Sequence, residues 1–131
     1  MENNKIRNIV VVGHLTSGKT TLVESLASIT SGAPKGSIER KNTISDYTKE
    51  EQDKQGSIKA AVVPIMHNGY KINLIDTPGS DDFISETIGA INVVKGAVLL
   101  VDAANGVEVL TKKYWNMLRK KNIPTIIYVN K

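Results

Sequence analysis

Cysteine is absent from this chain of 131 residues, so it has no disulfide framework and nothing asks for an oxidising compartment. No long apolar run opens the sequence, so neither a signal segment nor a membrane span is expected there, and a cytoplasmic location is the simplest expectation. Internal repeats and low-complexity tracts are also missing, which leaves one domain as the default for this length. Aromatic residues are few, 5% against 40% hydrophobic overall, a balance that suits an α/β protein. Acids are outnumbered, 13 to 17, for a net charge of +4, a mild pointer to an anionic partner. Much of that excess lies between Val107 and Lys131, where Lys112, Lys113, Arg119, Lys120, Lys121 and Lys131 face the single acid Glu108. Such a stripe is read either as an RNA-contacting surface or as a solvated helix face with cations gathered near its C-terminal end.

What the chain does contain is concentrated near its start. Ile9, Val10, Val11 and Val12 form a β-branched run that breaks at Gly13, and the loop Gly13-His14-Leu15-Thr16-Ser17-Gly18 leads into Lys19 and Thr20. The spacing G-x-x-x-x-G-K-T suits a backbone that turns its N–H groups inward around a β-phosphate, because glycine at the frame removes the Cβ atoms that would obstruct it. Lys19 is placed to reach the β- and γ-phosphates, and the Thr20 hydroxyl to take a Mg²⁺ coordination position. The helix that begins there directs its positive end at the same anions.

Beyond the loop, Leu22, Leu26 and Ile29 recur at helical spacing until Ser31-Gly32. Residues 33–59 change character to Gly, Pro, Ser, Asn and mixed charge, the mark of a long loop, which at this length is either functional or disordered. Ala61 to His67 and Tyr70 to Ile75 read as strands joined at Asn68-Gly69, a type I′ hairpin signal. Phe83, Thr87, Ile91 and Val94 line one side of a second helix, Ala97 to Val101 is a buried strand, Val107 to Lys121 a third helix, and Thr125 to Val129 a last apolar strand. Strands alternating with helices imply a mainly parallel sheet covered on both faces, with the hairpin adding one antiparallel strand.

Two further strand ends fit the first. Asp76-Thr77-Pro78-Gly79 follows the second hairpin strand, where the acid suits Mg²⁺ held through water, and the Gly79 N–H is free to meet a γ-phosphate and to swing away when it leaves. Asn130-Lys131 follows the last strand and matches the opening of the guanine-reading sequence N-K-x-D.

These motifs, in this order and spacing, resemble the GTP-binding domain of translational GTPases, with elongation factor G and its paralogues nearest and the tetracycline-resistance ribosomal protection proteins close behind. The resemblance covers nearly all of the chain, including SDYTKEEQDKQGSI, NGYKINLIDTPG and KGAVLLVDAANGVEVLTKKYW. It implies a three-layer P-loop NTPase fold, with residues 1–131 forming the N-terminal portion of a GTP-binding domain and its first switch loop at about 33–59. It also implies that the domain continues beyond Lys131 with the guanine-pairing Asp, a final strand and two helices. Without them, the strand from Pro124 to Val129 exposes an apolar edge. Weak nucleotide affinity, little guanine selectivity and some self-association are then expected.

The resemblance assigns GTP/GDP and Mg²⁺ as ligands, the ribosome as partner of the longer protein, and no membrane. Its nucleotide-binding positions are Gly13, His14, Leu15, Thr16, Ser17, Gly18, Lys19, Thr20, Thr21, Asp76, Thr77, Pro78, Gly79, Ser80, Asn130 and Lys131. The metal positions are Thr20, Ser57 and Asp76; Ser57 stands where the family has the threonine that closes over Mg²⁺. Departures matter too. Ser80 replaces the histidine that positions the attacking water, so no catalytic residue is assigned and slow hydrolysis is expected. Thr16 stands where many members carry Asp, removing an anionic ligand, and His14 is expected to be structural. Two functional readings remain: a GTPase acting on the ribosome, and a non-hydrolysing nucleotide switch. An ATP-using P-loop protein is disfavoured by the Asn130-Lys131 ending.

Overall fold

The computed structural model describes residues 3–32 and 59–131. Most of the expected switch loop, Ser57 included, lies outside the described residues. Five strands form one sheet in the order β2-β3-β1-β4-β5. β1 (Ile6–Gly13) is central, between β3 (Tyr70–Asp76) and β4 (Gly96–Asp102), and parallel to both. β5 (Thr125–Asn130) adds a further parallel strand outside β4, and β2 (Ala61–His67) is the single antiparallel strand, at the opposite edge. Pro64 in β2 is tolerated because an edge strand has one side with no ladder bond to donate.

Strand alternation sorts the core into two halves. Val10 and Val12 of β1 point to one face, where they pack with Ile91 of α2 (Ile84–Asn92) and with Leu110, Tyr114 and Leu118 of α3 (Val109–Lys120). Val11 points to the other, against Val23 and Ala27 of α1 (Lys19–Ser31) and Leu100 of β4. Three layers result, with β1 buried from both sides, which is why its apolar run is nearly continuous. This is the expected α/β architecture.

Local chemistry explains the boundaries. Asn68 and Gly69 have φ of 48° and 78°, the two left-handed residues a type I′ hairpin needs. α1 stops where Gly32 turns left-handed, φ 70°, and returns its N–H to the Ser28 carbonyl. α3 begins two residues later than the apolar spacing predicts. Glu108 is extended, with φ −96° and ψ 175°, and its N–H donates to Thr111 Oγ1 at 3.3 Å, so residue 108 caps the helix and Val107 falls outside it. A short 3₁₀ turn, Asp81–Phe83, precedes α2 and takes Phe83 out of the helix proper.

The expected uncovered apolar edge is present. Ile126, Ile127, Tyr128 and Val129 of β5 are 67%, 54%, 43% and 63% exposed, because among the described residues no helix lies over either face of that strand. The contrast with the centre yields a prediction. Leu100→Ala, at a fully buried site, should lower the free energy of unfolding by about 2–5 kcal/mol, whereas Ile126→Ala should change it by less than about 0.5 kcal/mol. Urea denaturation of the two variants checks both values.

Candidate functional site

The carboxyl ends of β1, β3, β4 and β5 open on one side of the sheet, and β1 is the strand at which the order reverses, with β3 on one flank and β4 on the other. Open α/β sheets offer their ligand crevice at such a point. Gly13 ends β1, Asp76 ends β3, Asp102 ends β4 and Asn130 ends β5. Three of these four belong to the sequence motifs, and the register explains why they meet: Val11 pairs with Asp76, Gly13 with Leu100 and Asp102 with Asn130.

From Gly13 the chain turns sharply. The Ser17 N–H donates to the His14 carbonyl at 3.2 Å, Thr16 adopts a left-handed φ of 62°, and Gly18 caps α1 with φ 98° and no side-chain acceptor for the first turn. A Cβ on Gly18 would collide with the Asn130 amide as well, so glycine is required twice over. Leu15 is half exposed at the loop's outer side, and the Ser17 hydroxyl is buried without a hydrogen-bond partner. Thr21 is exposed in the first turn of α1.

Lys19 turns back over this loop. Its ammonium donates to the His14 carbonyl at 2.9 Å. Burial pulls its pKa down from 10.5 to about 8, opposed by the charge of Asp76 and reinforced by that of Lys131. Beside it, Thr20 Oγ1 donates to Asp76 Oδ2 at 2.7 Å, a buried contact between residues 56 apart in the chain. The pair brings one hydroxyl and one carboxylate, both oxygen donors, to the floor of the loop, the ligand chemistry a hard divalent cation prefers. No cluster of three or more His, Cys, Asp or Glu suited to a metal occurs among the described residues.

The 76–80 segment closes over the lysine. Thr77 is fully buried and its hydroxyl donates to the Val11 carbonyl at 2.7 Å, tying the segment to β1. The Pro78 carbonyl accepts a long bond, 3.4 Å, from Thr87 of α2. Gly79 sits so near the loop that a Cβ there would approach the Leu15 Cα to 2.9 Å. Ser80 is extended and caps the 3₁₀ turn, its carbonyl accepting from the Phe83 N–H at 3.2 Å.

Two side chains that the motifs did not single out complete the arrangement. Glu108 Oε1 lies 3.5 Å from His14 Nε2, tethering the loop to the start of α3 and giving His14 a structural tie. Asp102 is buried and receives Lys131 Nζ at 3.2 Å, while Lys131 Nζ also donates to the Thr16 carbonyl. Asn130 Nδ2 donates to the Ser17 carbonyl at 3.0 Å. Asp102 carried a usable signal: like Asp76 and Asn130, it is the first polar residue after an apolar strand run.

The glycine-framed loop, its lysine and the strand-end acid define the class first: a P-loop nucleotide-binding domain of α/β architecture. Within that class, the elongation factor Tu GTP binding domain matches residues 4–131, and the chain belongs to that family. It is 38% identical over 129 residues to the mitochondrial ribosome-releasing factor 2 of Candida dubliniensis, covering 98% of this chain and 16% of that protein. To the tetracycline resistance protein TetM of Enterococcus faecalis it is 42% identical over 129 residues, 97% of this chain and 20% of that one. A Thermus thermophilus protein of known crystal structure superposes with a TM-score of 0.91 at 34% identity, over 95% of this chain and 19% of its own. The chain thus spans a fifth or less of the curated relatives, and corresponds to the GTP-binding domain of elongation factor G-like translation factors. No helix among the described residues is long and apolar enough to cross a membrane.

The buried lysine generates a pH prediction. A folded-state pKa near 8 against 10.5 means that the unfolded chain holds more protons between those values, so stability attributable to this group rises with pH across that window. Below pH 8 the burial of charge costs about 3 kcal/mol. In ligand-free protein, Lys19→Met should therefore be more stable than the parent at pH 7, with the difference closing towards pH 10.5, as followed by urea midpoints across that range.

Proposed function

We propose that this chain holds Mg·GTP or Mg·GDP and that the longer protein it belongs to uses nucleotide state to act on the ribosome. The observation that carries the reading is the buried contact of Thr20 with Asp76 beside a desolvated Lys19, all under a loop framed by Gly13 and Gly18. A lysine held charged away from water is stabilised by the arrival of phosphate oxygens, which replace its weak present partner, the His14 carbonyl. The unpartnered Ser17 hydroxyl is a further group that an anion in the loop would satisfy.

In this reading the 13–18 backbone and Lys19 bind the phosphates, and Thr21 borders them. Thr20 and Asp76, with Ser57, would hold Mg²⁺, which would supply charge neutralisation for the phosphates. Gly79 reports on the γ-phosphate because its backbone already lies against Lys19 and Leu15. Thr77 and Pro78 anchor the segment that moves with it, and Asn130 and Lys131 face the base side. The apolar face of β5 favours self-association of the isolated chain.

A non-hydrolysing switch is favoured by one local observation. Ser80 replaces the family histidine, and of the two histidines His14 is tied to Glu108 and His67 ends β2, away from the strand carboxyl ends. A serine hydroxyl neither carries charge nor reaches far enough to orient an attacking water. Slow hydrolysis, not lost binding, is the outcome expected of this site.

Binding of a fluorescent GDP analogue tests the reading. The parent chain should bind and Lys19→Ala should lose at least about tenfold in affinity; equal affinity of the two overturns it. In the longer protein, Ser80→His should raise ribosome-dependent single-turnover GTP hydrolysis, and a rate unmoved by both ribosomes and the substitution rejects the hydrolytic reading.

A further inference from the structure

Asp102 has more bonds than a loop acid requires. It closes β4, is 4% exposed, and is locked by the turn that follows it. Oδ1 accepts from the Ala104 N–H at 2.8 Å and from the Asn105 N–H at 3.4 Å. Oδ2 accepts from Asn105 Nδ2 at 3.2 Å and from Lys131 Nζ at 3.2 Å. Its own carbonyl accepts from the Gly106 N–H at 2.7 Å, and the Ala103 N–H returns to the Asn130 carbonyl at 2.8 Å, so the turn is stitched to the end of β5. Both carboxylate oxygens are committed, and the orientation of Oδ2 towards Lys131 is fixed by the backbone rather than by rotamer choice.

The other end of that contact is at the loop. Lys131 has a left-handed φ of 74°, and its ammonium, held by Asp102, also donates to the Thr16 carbonyl. Its neighbour Asn130 donates to the Ser17 carbonyl. Two consecutive loop carbonyls are therefore gripped from β5, and the lysine grip is charge-balanced by an acid that the loop itself lacks, since residue 16 is Thr.

We propose that Asp102 is a positioning residue for nucleotide binding: by fixing the Lys131 ammonium against the Thr16 carbonyl, it sets the phosphate loop in its receiving shape. The inference rests on the nucleotide-binding reading above. Asp102 acts through Lys131 and touches no ligand itself. Its charge also offsets that of Lys131, which otherwise adds to the repulsion felt at Lys19.

The test is a double-mutant cycle on the chain itself, read as affinity for a fluorescent GDP analogue with Mg²⁺, alongside thermal melting without nucleotide. Asp102→Asn keeps an oxygen for the Ala104 amide but turns a donor towards Lys131; Lys131→Met keeps the stem and removes the ammonium. Each single variant should weaken binding about tenfold, and Asp102→Asn should weaken it less than about twofold further when Lys131 is already Met. Equal losses in both backgrounds mean that Asp102 only supports the fold, and overturn the proposal. So does unchanged affinity in Asp102→Asn. Should that variant fail to fold, Lys131→Met reads the same contact from its half-exposed side, and unchanged affinity there overturns the proposal. If the unsubstituted chain binds no guanine nucleotide, the nucleotide-binding reading falls and this inference falls with it; binding by the parent with no coupling sinks this inference alone.

Discussion

The ammonium of Lys19 is buried in a loop that has little to offer it but one carbonyl, and much of the local architecture follows from keeping it there. Charge in that position is costly, as its lowered pKa of about 8 records. Asp76 on the neighbouring strand offsets part of the cost, and the register of β1 with β3 puts that acid within reach. The 76–80 segment can cover the lysine only because residue 79 has no side chain. In the proposed reading, incoming phosphate relieves this unfavourable charge, and the fold that prepares the relief gives up some stability to do so.

Around this centre the molecule divides its labour. The two apolar clusters on either side of β1 fix the height and angle of the strand ends. The loops between strands and helices then carry the polar chemistry. Glu108, Asn130 and Lys131 each reach back to the same short loop from elements far along the chain. A six-residue loop built on glycine has little shape of its own, and these outside contacts give it one.

Much of this was legible in the residues. β-Branched runs announced the strands, the Asn68-Gly69 pair announced the hairpin, and the glycine-framed loop announced the site, because each is a local signal with a local cause. The start of helix α3 was not legible, because apolar periodicity continues through Val107 while the capping of Glu108 on Thr111 is a matter of backbone geometry. The tie of Asp102 to Lys131 escaped for a different reason. It joins residues 29 apart and depends on the pairing register of β4 with β5, which no short window of sequence expresses. Ser57 and the rest of the switch loop lie outside the described residues.

The central position of β1 carries a cost in time. It is made before both of its partners, β3 and β4, which end at Asp76 and Asp102, and the intervening α1 has only half a surface to rest on until they arrive. At about 5–20 residues per second of synthesis, Val10, Val11 and Val12 wait on the order of 5 to 20 seconds outside the ribosome tunnel without a sheet to join. A nascent chain of this design spends its early life as an unpaired sticky strand, and the burden of shielding it falls on whatever meets the emerging polypeptide.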